Sequence, residues 1–114
     1  MSSWQVQIAK HAEDDLRGIY EYIAFDKLEP GVAKNLVQRI EKRISKLNNS
    51  PQSFALYQKE PWKSRGLRRV NSGKYAIFYI PAEEVKRVTV LRVMYGGRDI
   101  ESILDEMLDD ESEL

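Results

Sequence analysis

Residues 66–100 read GLRRVNSGKYAIFYIPAEEVKRVTVLRVMYGGRDI, and the fold turns on how this stretch is divided. Three extended segments stand close together in it. Gly66 to Val70 is short and basic, and Asn71, Ser72 and Gly73 supply a turn. Tyr75 to Ile80 is almost wholly apolar, the composition of a central strand covered on both faces. Pro81 to Glu84 form the next turn. From Val85 to Tyr95 the residues alternate, with Leu91 and Val93 on one face and Val90, Arg92 and Met94 on the other. Gly96 and Gly97 end that strand. Asp99 is then placed to cap a helix with Ile100, Ile103, Leu104, Met107 and Leu108 on its apolar side.

Toward the N-terminus, Trp4, Val6 and Ile8 repeat with period two, as in a half-buried strand. From His11 the period changes to that of a helix: Leu16, Ile19, Tyr20 and Ile23 form a stripe. Glu13, Asp14 and Asp15 fall in the first turn, where the helix dipole favours acids. This helix is expected to end near Lys27. Pro30 suits the start of a second one, whose stripe is Val32, Leu36, Val37, Ile40, Ile44 and Leu47. The link is so short that the two make a helical hairpin. Asn48 to Pro51 stop it, and an irregular stretch follows to about Ser64, pinned by Phe54, Leu56 and Trp62. The order is β-α-α-β-β-β-α, an α+β domain. A helical hairpin packs on a small, mainly antiparallel sheet and leaves the other face partly open. The chain is expected to form a single domain, 1–114, whose acidic end from Asp109 frays.

Composition narrows the functions available. The absence of Cys excludes disulfides and thiolate metal sites, and one histidine, His11, makes no zinc site alone. No metal and no cofactor are expected. His11 stands at a strand-to-helix junction, where capping is the ordinary task. Met1 to Asp15 contains no apolar signal segment, and Tyr75 to Pro81 is too short an apolar run to span a bilayer. The expectation is a soluble cytoplasmic protein without a membrane partner. The net charge of zero conceals a segregation: residues 59–98 hold 10 basic against three acidic side chains, while residues 99–114 hold eight acids and no base. A local positive field of this kind attracts a polyanion or an acidic protein surface. The acidic last helix is a candidate to mask it.

There is no GxGxxG, P-loop, HExxH or GxSxG in the chain. The chemistry that remains is arginine. Arg65, Arg68, Arg69, Arg92 and Arg98 are the candidate target-binding residues, placed by adjacent strands in a patch about 10–15 Å wide. Strand alternation sends Arg68 and Arg69 to opposite faces, so only one of them reaches an external target. RNA cleavage by 2′-OH attack needs a base, an acid and positive charge on the phosphate. The patch supplies the charge. For base and acid it offers Tyr95, Tyr75, Lys59, Lys63 and Glu60, none with an evident partner to shift its pKa.

The runs Gly66-Leu67-Arg68-Arg69, Gly73-Lys74-Tyr75-Ala76-Ile77-Phe78-Tyr79 and Val90 to Ile100 resemble the C-terminal half of the RelE/ParE toxins. Their pattern there is roughly LRR, GxYxIFY and VxVxRVxHGxRD(I/L). The element order agrees with that family's fold, so the resemblance covers nearly the whole chain. It implies a toxin of a bacterial type II toxin–antitoxin module, which restrains growth and stabilises plasmids. RelE-like members cut mRNA on the ribosome, whereas ParE-like members poison DNA gyrase. The interferase set of RelE includes an arginine where this chain has Ala76 and a tyrosine where it has Leu104. Arg69 and Arg98 survive, and Tyr95 stands where many relatives have histidine. The IFY and GGRDI segments look more like the ParE branch.

The first reading is therefore a non-enzymatic ParE-like toxin that binds and inhibits gyrase. The second is a ribosome-dependent mRNA interferase using Arg69, Tyr95 and Arg98 as its catalytic residues. The third is a disarmed member that only binds an antitoxin. The resemblance also implies a cognate antitoxin that folds over the helical hairpin and sheet edge, with Leu16, Tyr20, Ile23, Leu36 and Ile40 as its contact residues. Operator DNA binding would belong to that antitoxin and not to this chain alone.

Overall fold

The computed structural model describes residues 3–112. Strand β1 (Gln5–Ile8) leads directly into helix α1 (Lys10–Glu21), which continues as a π-helical turn over Tyr22–Asp26. Helix α2 (Pro30–Ser45) returns antiparallel, with Pro30 at its first turn, where the missing N–H has no helical acceptor. Strands β2 (Arg68–Ser72), β3 (Tyr75–Ala82) and β4 (Arg87–Tyr95) follow, and helix α3 (Ile100–Ser112) closes the described chain. The sheet order is β1-β4-β3-β2, with β1 parallel to β4 and the other pairs antiparallel.

Several boundaries differ from the sequence expectation, each for a physical reason. Asn71 and Ser72 belong to β2, because the hairpin closes in two residues, Gly73 and Lys74, with Ser72 opposite Tyr75. Gly73 alone takes the positive φ (57°) such a turn requires. Pro81 lies within β3, opposite Val88. It is tolerated because β2 pairs only as far as Tyr79, so the side without an N–H has no neighbour. In the pairing of β3 with β4 the register slips between Phe78 and Tyr79: Arg92 faces Phe78, Val90 faces Tyr79, and Leu91 of β4 is the extra residue of a bulge. Leu91 and Val93 consequently face opposite sides, correcting the simple alternation.

The sheet has a core on each side. Under the hairpin, Trp4, Leu16, Ile40, Ile44, Leu47, Ile77, Tyr79, Val88, Val90 and Val93 pack together. On the other side, Trp62, Leu67, Ala76, Phe78, Met94 and Leu104 form a second buried cluster, with Leu91 against it. The face expected to be partly open is thus covered by α3 and by the segment before β2. Trp62 is the anchor of that segment, at 2% exposure. Helix α3 runs to Ser112, and Glu113 and Leu114, the end of the acidic tail expected to fray from Asp109, lie outside the described residues.

Candidate functional site

β1 pairs with β4 only from Arg87 to Val90, which leaves the rest of that edge without a strand. Helix α1 takes its place, since the Ala9 N–H donates to the Val90 carbonyl and the chain turns at once into the helix. Asp15 then meets the uncovered edge. Its Oδ2 accepts from the Val93 N–H (2.8 Å) and from Arg92 Nε (2.7 Å), and its Oδ1 accepts from Arg92 Nη2 (2.7 Å). The hydrogen bond to Asp15 holds the Arg92 pKa above its usual value against the opposing effect of burial. Arg92, expected at a target surface, is committed to holding α1 against the sheet. Asp15, read from sequence as a helix-dipole acid, is its partner.

The other arginines separate as well. The Arg68 guanidinium donates to the Phe54 carbonyl on the hairpin side, and its Nε is buried without a hydrogen-bond partner among the described residues. Arg69 is exposed on the opposite side, over the Phe78 ring at 5.6 Å, with its Nε donating to Asn71 Oδ1 at 3.1 Å. Arg65 lies over the Trp62 ring at 5.3 Å. Arg98 is exposed in the loop after β4. The five do not share one patch. From α3, Glu101 reaches the basic segment and pairs with Lys59 at 2.5 Å between two exposed side chains.

Two expected site residues do come together. Tyr95 and Arg98 line a pocket of about 640 Å³ between α1 and the end of β4, with Asp14, Asp15, Gly18, Ile19, Tyr22, Tyr75 and Val93 completing it. The Tyr75 and Tyr95 rings meet edge to face, 5.7 Å apart. Burial, and then the nearby Tyr95 and Tyr22, push the Tyr75 hydroxyl above its ordinary pKa. That shift moves it away from service as a base near neutrality. Arg69 is not among the lining residues, although its Nη2 would stand 3.7 Å from a Cβ on Gly96, in the loop between Tyr95 and Arg98.

On the hairpin, Leu16 (8% exposed) and Ile40 (0%) point into the core and offer no surface to a partner. Tyr20, Ile23 and Leu36 are half-buried. The exposed apolar side chains are instead Tyr22, Phe25, Leu28 and Val32, around the hairpin tip. The stripe that fixes a helix in a core is the stripe a partner cannot touch. The available signal was Tyr22, an aromatic lying off that stripe. His11 is exposed in the first turn of α1, and Ala9, not a capping side chain, holds the N-cap position. Among the described residues no cluster of His, Asp or Glu is arranged to hold a metal, and no helix is long and apolar enough to cross a membrane.

This architecture is that of the RelE/ParE toxins. A structure of the chromosomal ParDE system of P. aeruginosa aligns with a TM-score of 0.65 and 21% identity, covering 82% of this chain and 96% of that one. The RelBE2 toxin–antitoxin complex of Mycobacterium tuberculosis aligns at 0.62 with 17% identity, covering 82% and 98%. The E. coli toxin RelE, as a mutant in the free state, aligns at 0.63 with 14% identity, covering 95% and 97%. No curated protein is similar enough in sequence to count as a match. Residues 6–100 match the family model for the ParE toxin of the type II toxin–antitoxin system parDE, and the chain belongs to that family.

Proposed function

We propose that this toxin acts by binding and inhibiting DNA gyrase, not by cutting RNA, and that a cognate antitoxin neutralises it. The observation that carries this reading is the placement of Ala76 and Leu104. These are the positions at which RelE-like interferases resemble this chain but carry an arginine and a tyrosine. Both residues are fully buried here, in one apolar cluster beneath α3. They are structural members of a core, and a guanidinium at position 76 would enter it without a solvated exit. Several similar structures are toxin–antitoxin complexes, which supports an antitoxin as partner. A gyrase target would place the toxin in the cytoplasm, with operator recognition left to the antitoxin.

The test pairs two assays on the purified protein. Gyrase supercoiling should fall as toxin is added, while message in a translating extract stays intact. Full supercoiling under excess toxin sinks the proposal. Codon-positioned cuts in translated mRNA would transfer the assignment to the interferase reading, and inactivity in both assays to a disarmed member.

A further inference from the structure

Resting on the gyrase-binding reading, we propose that the pocket between α1 and the end of β4 is where this toxin docks its protein target. It would receive an apolar side chain of the partner, flanked by a carboxylate that pairs with Arg98.

The lining has the make-up of a protein-binding hot spot. Tyr22, Tyr75 and Tyr95 come from three different elements and surround a space of about 640 Å³ together with Ile19 and Val93. Tyrosine and arginine around a concave apolar centre are the residue types that dominate binding energy between proteins. The charges are selective too. Asp15 is neutralised by Arg92, and Asp14 is paired with Lys10 at 3.1 Å and Arg17 at 3.7 Å. Among the lining residues, Arg98 is the one charge without an ion-pair partner among the described residues, so the lining leaves a single positive charge to complement. A nucleic acid strand would need several such cations along its backbone. Arg69 lies over the Phe78 ring, with its Nη2 beside Gly96, and is not among the residues that line the cleft. One cation in an aromatic cleft fits an acidic protein segment instead.

The local fold keeps the cleft open. Gly18 lies in the middle of α1, and a Cβ added there would meet nothing within 4 Å. The helix then widens into the π-helical turn that begins at Tyr22, which leaves that ring 53% exposed at the pocket wall. Single π turns within helices recur at functional sites.

Gly18→Leu fills the pocket from a position with free space, and leucine suits a helix interior better than glycine, so the variant should fold. Gyrase supercoiling would be titrated with wild type, Gly18→Leu, Arg98→Ala and the control Val85→Ser, which lies at the other end of β4. Antitoxin affinity and thermal midpoint would be measured alongside. Gly18→Leu and Arg98→Ala should each need at least roughly tenfold more protein for half-inhibition, the scale of a lost hot-spot contact. Val85→Ser should match wild type, and Gly18→Leu should keep the wild-type midpoint and antitoxin affinity. A folded Gly18→Leu that inhibits as well as wild type overturns the proposal. So does a parallel loss of antitoxin affinity, which would give the pocket to the antitoxin. Failure of the wild type to inhibit gyrase is a different result and removes the function reading itself.

Discussion

Asp15 of α1 grips the guanidinium of Arg92 with both carboxylate oxygens at 2.7 Å and accepts the Val93 N–H with one of them, so a helix side chain completes the edge of β4 where β1 has ended. Both side chains are nearly buried, at 14% and 10% exposure. Removing one partner would strand the other charge in a low-dielectric site. Asp15→Ala or Arg92→Ala should therefore lose about 3–5 kcal/mol in urea unfolding. Lys59→Ala, which breaks an exposed pair with Glu101, should leave the unfolding midpoint where it is. Equal small effects from all three would show that the Asp15 bridge holds nothing.

Position 76 separates core from catalysis. Ala76→Arg restores the residue type that resemblance to interferases would ask for, yet it pushes a charge under Leu104 and Trp62. The expected result is a lower thermal midpoint and no gain of mRNA cleavage. Leu104→Ala should cost about 2–5 kcal/mol through the cavity it leaves. A stable Ala76→Arg protein with ribosome-dependent nuclease activity would reverse the assignment.

Tyr79 makes the fold sensitive to alkali. Its hydroxyl donates to the Pro51 carbonyl at 2.6 Å, and burial raises its pKa from 10.0 to about 12. A raised folded pKa means the folded state holds its proton more tightly than the unfolded one. The stabilisation is complete below pH 10 and is lost as the pH climbs from 10 toward about 12. The loss amounts to about 2–3 kcal/mol. Tyr79→Phe should flatten this part of the stability–pH curve while costing about 1–2 kcal/mol at neutral pH. An unchanged alkaline slope in unfolding titrations would refute the assignment to Tyr79.

The hairpin tip should answer to the antitoxin and the hairpin stripe to the fold. Phe25→Ser and Val32→Ser change exposed side chains and should weaken antitoxin binding by roughly tenfold or more without moving the thermal midpoint. Leu16→Ala and Ile40→Ala should lower stability by about 2–5 kcal/mol. Calorimetric titration beside thermal melts decides it, and unimpaired antitoxin affinity in both serine variants would move the interface off the tip.

The element order, the helical hairpin, the central β3 strand and the Asp99 cap were all legible in the sequence, because each rests on interactions within a few residues. Hydrophobic period, a proline that starts a helix and a glycine turn are local properties, and they suffice for an α+β chain of this family. Tertiary structure alone decided which arginines are free. Arg92 is spent on Asp15, distant along the chain, and Arg68 on the Phe54 carbonyl. The bulge at Leu91 follows from the pairing of β4 with β3 and leaves no mark in β4's own pattern. The pocket of Tyr22, Tyr95 and Arg98 likewise exists only because β1 stops short and α1 crosses the vacated edge. Local periodicity specifies which way a side chain faces, and only packing specifies what it meets there.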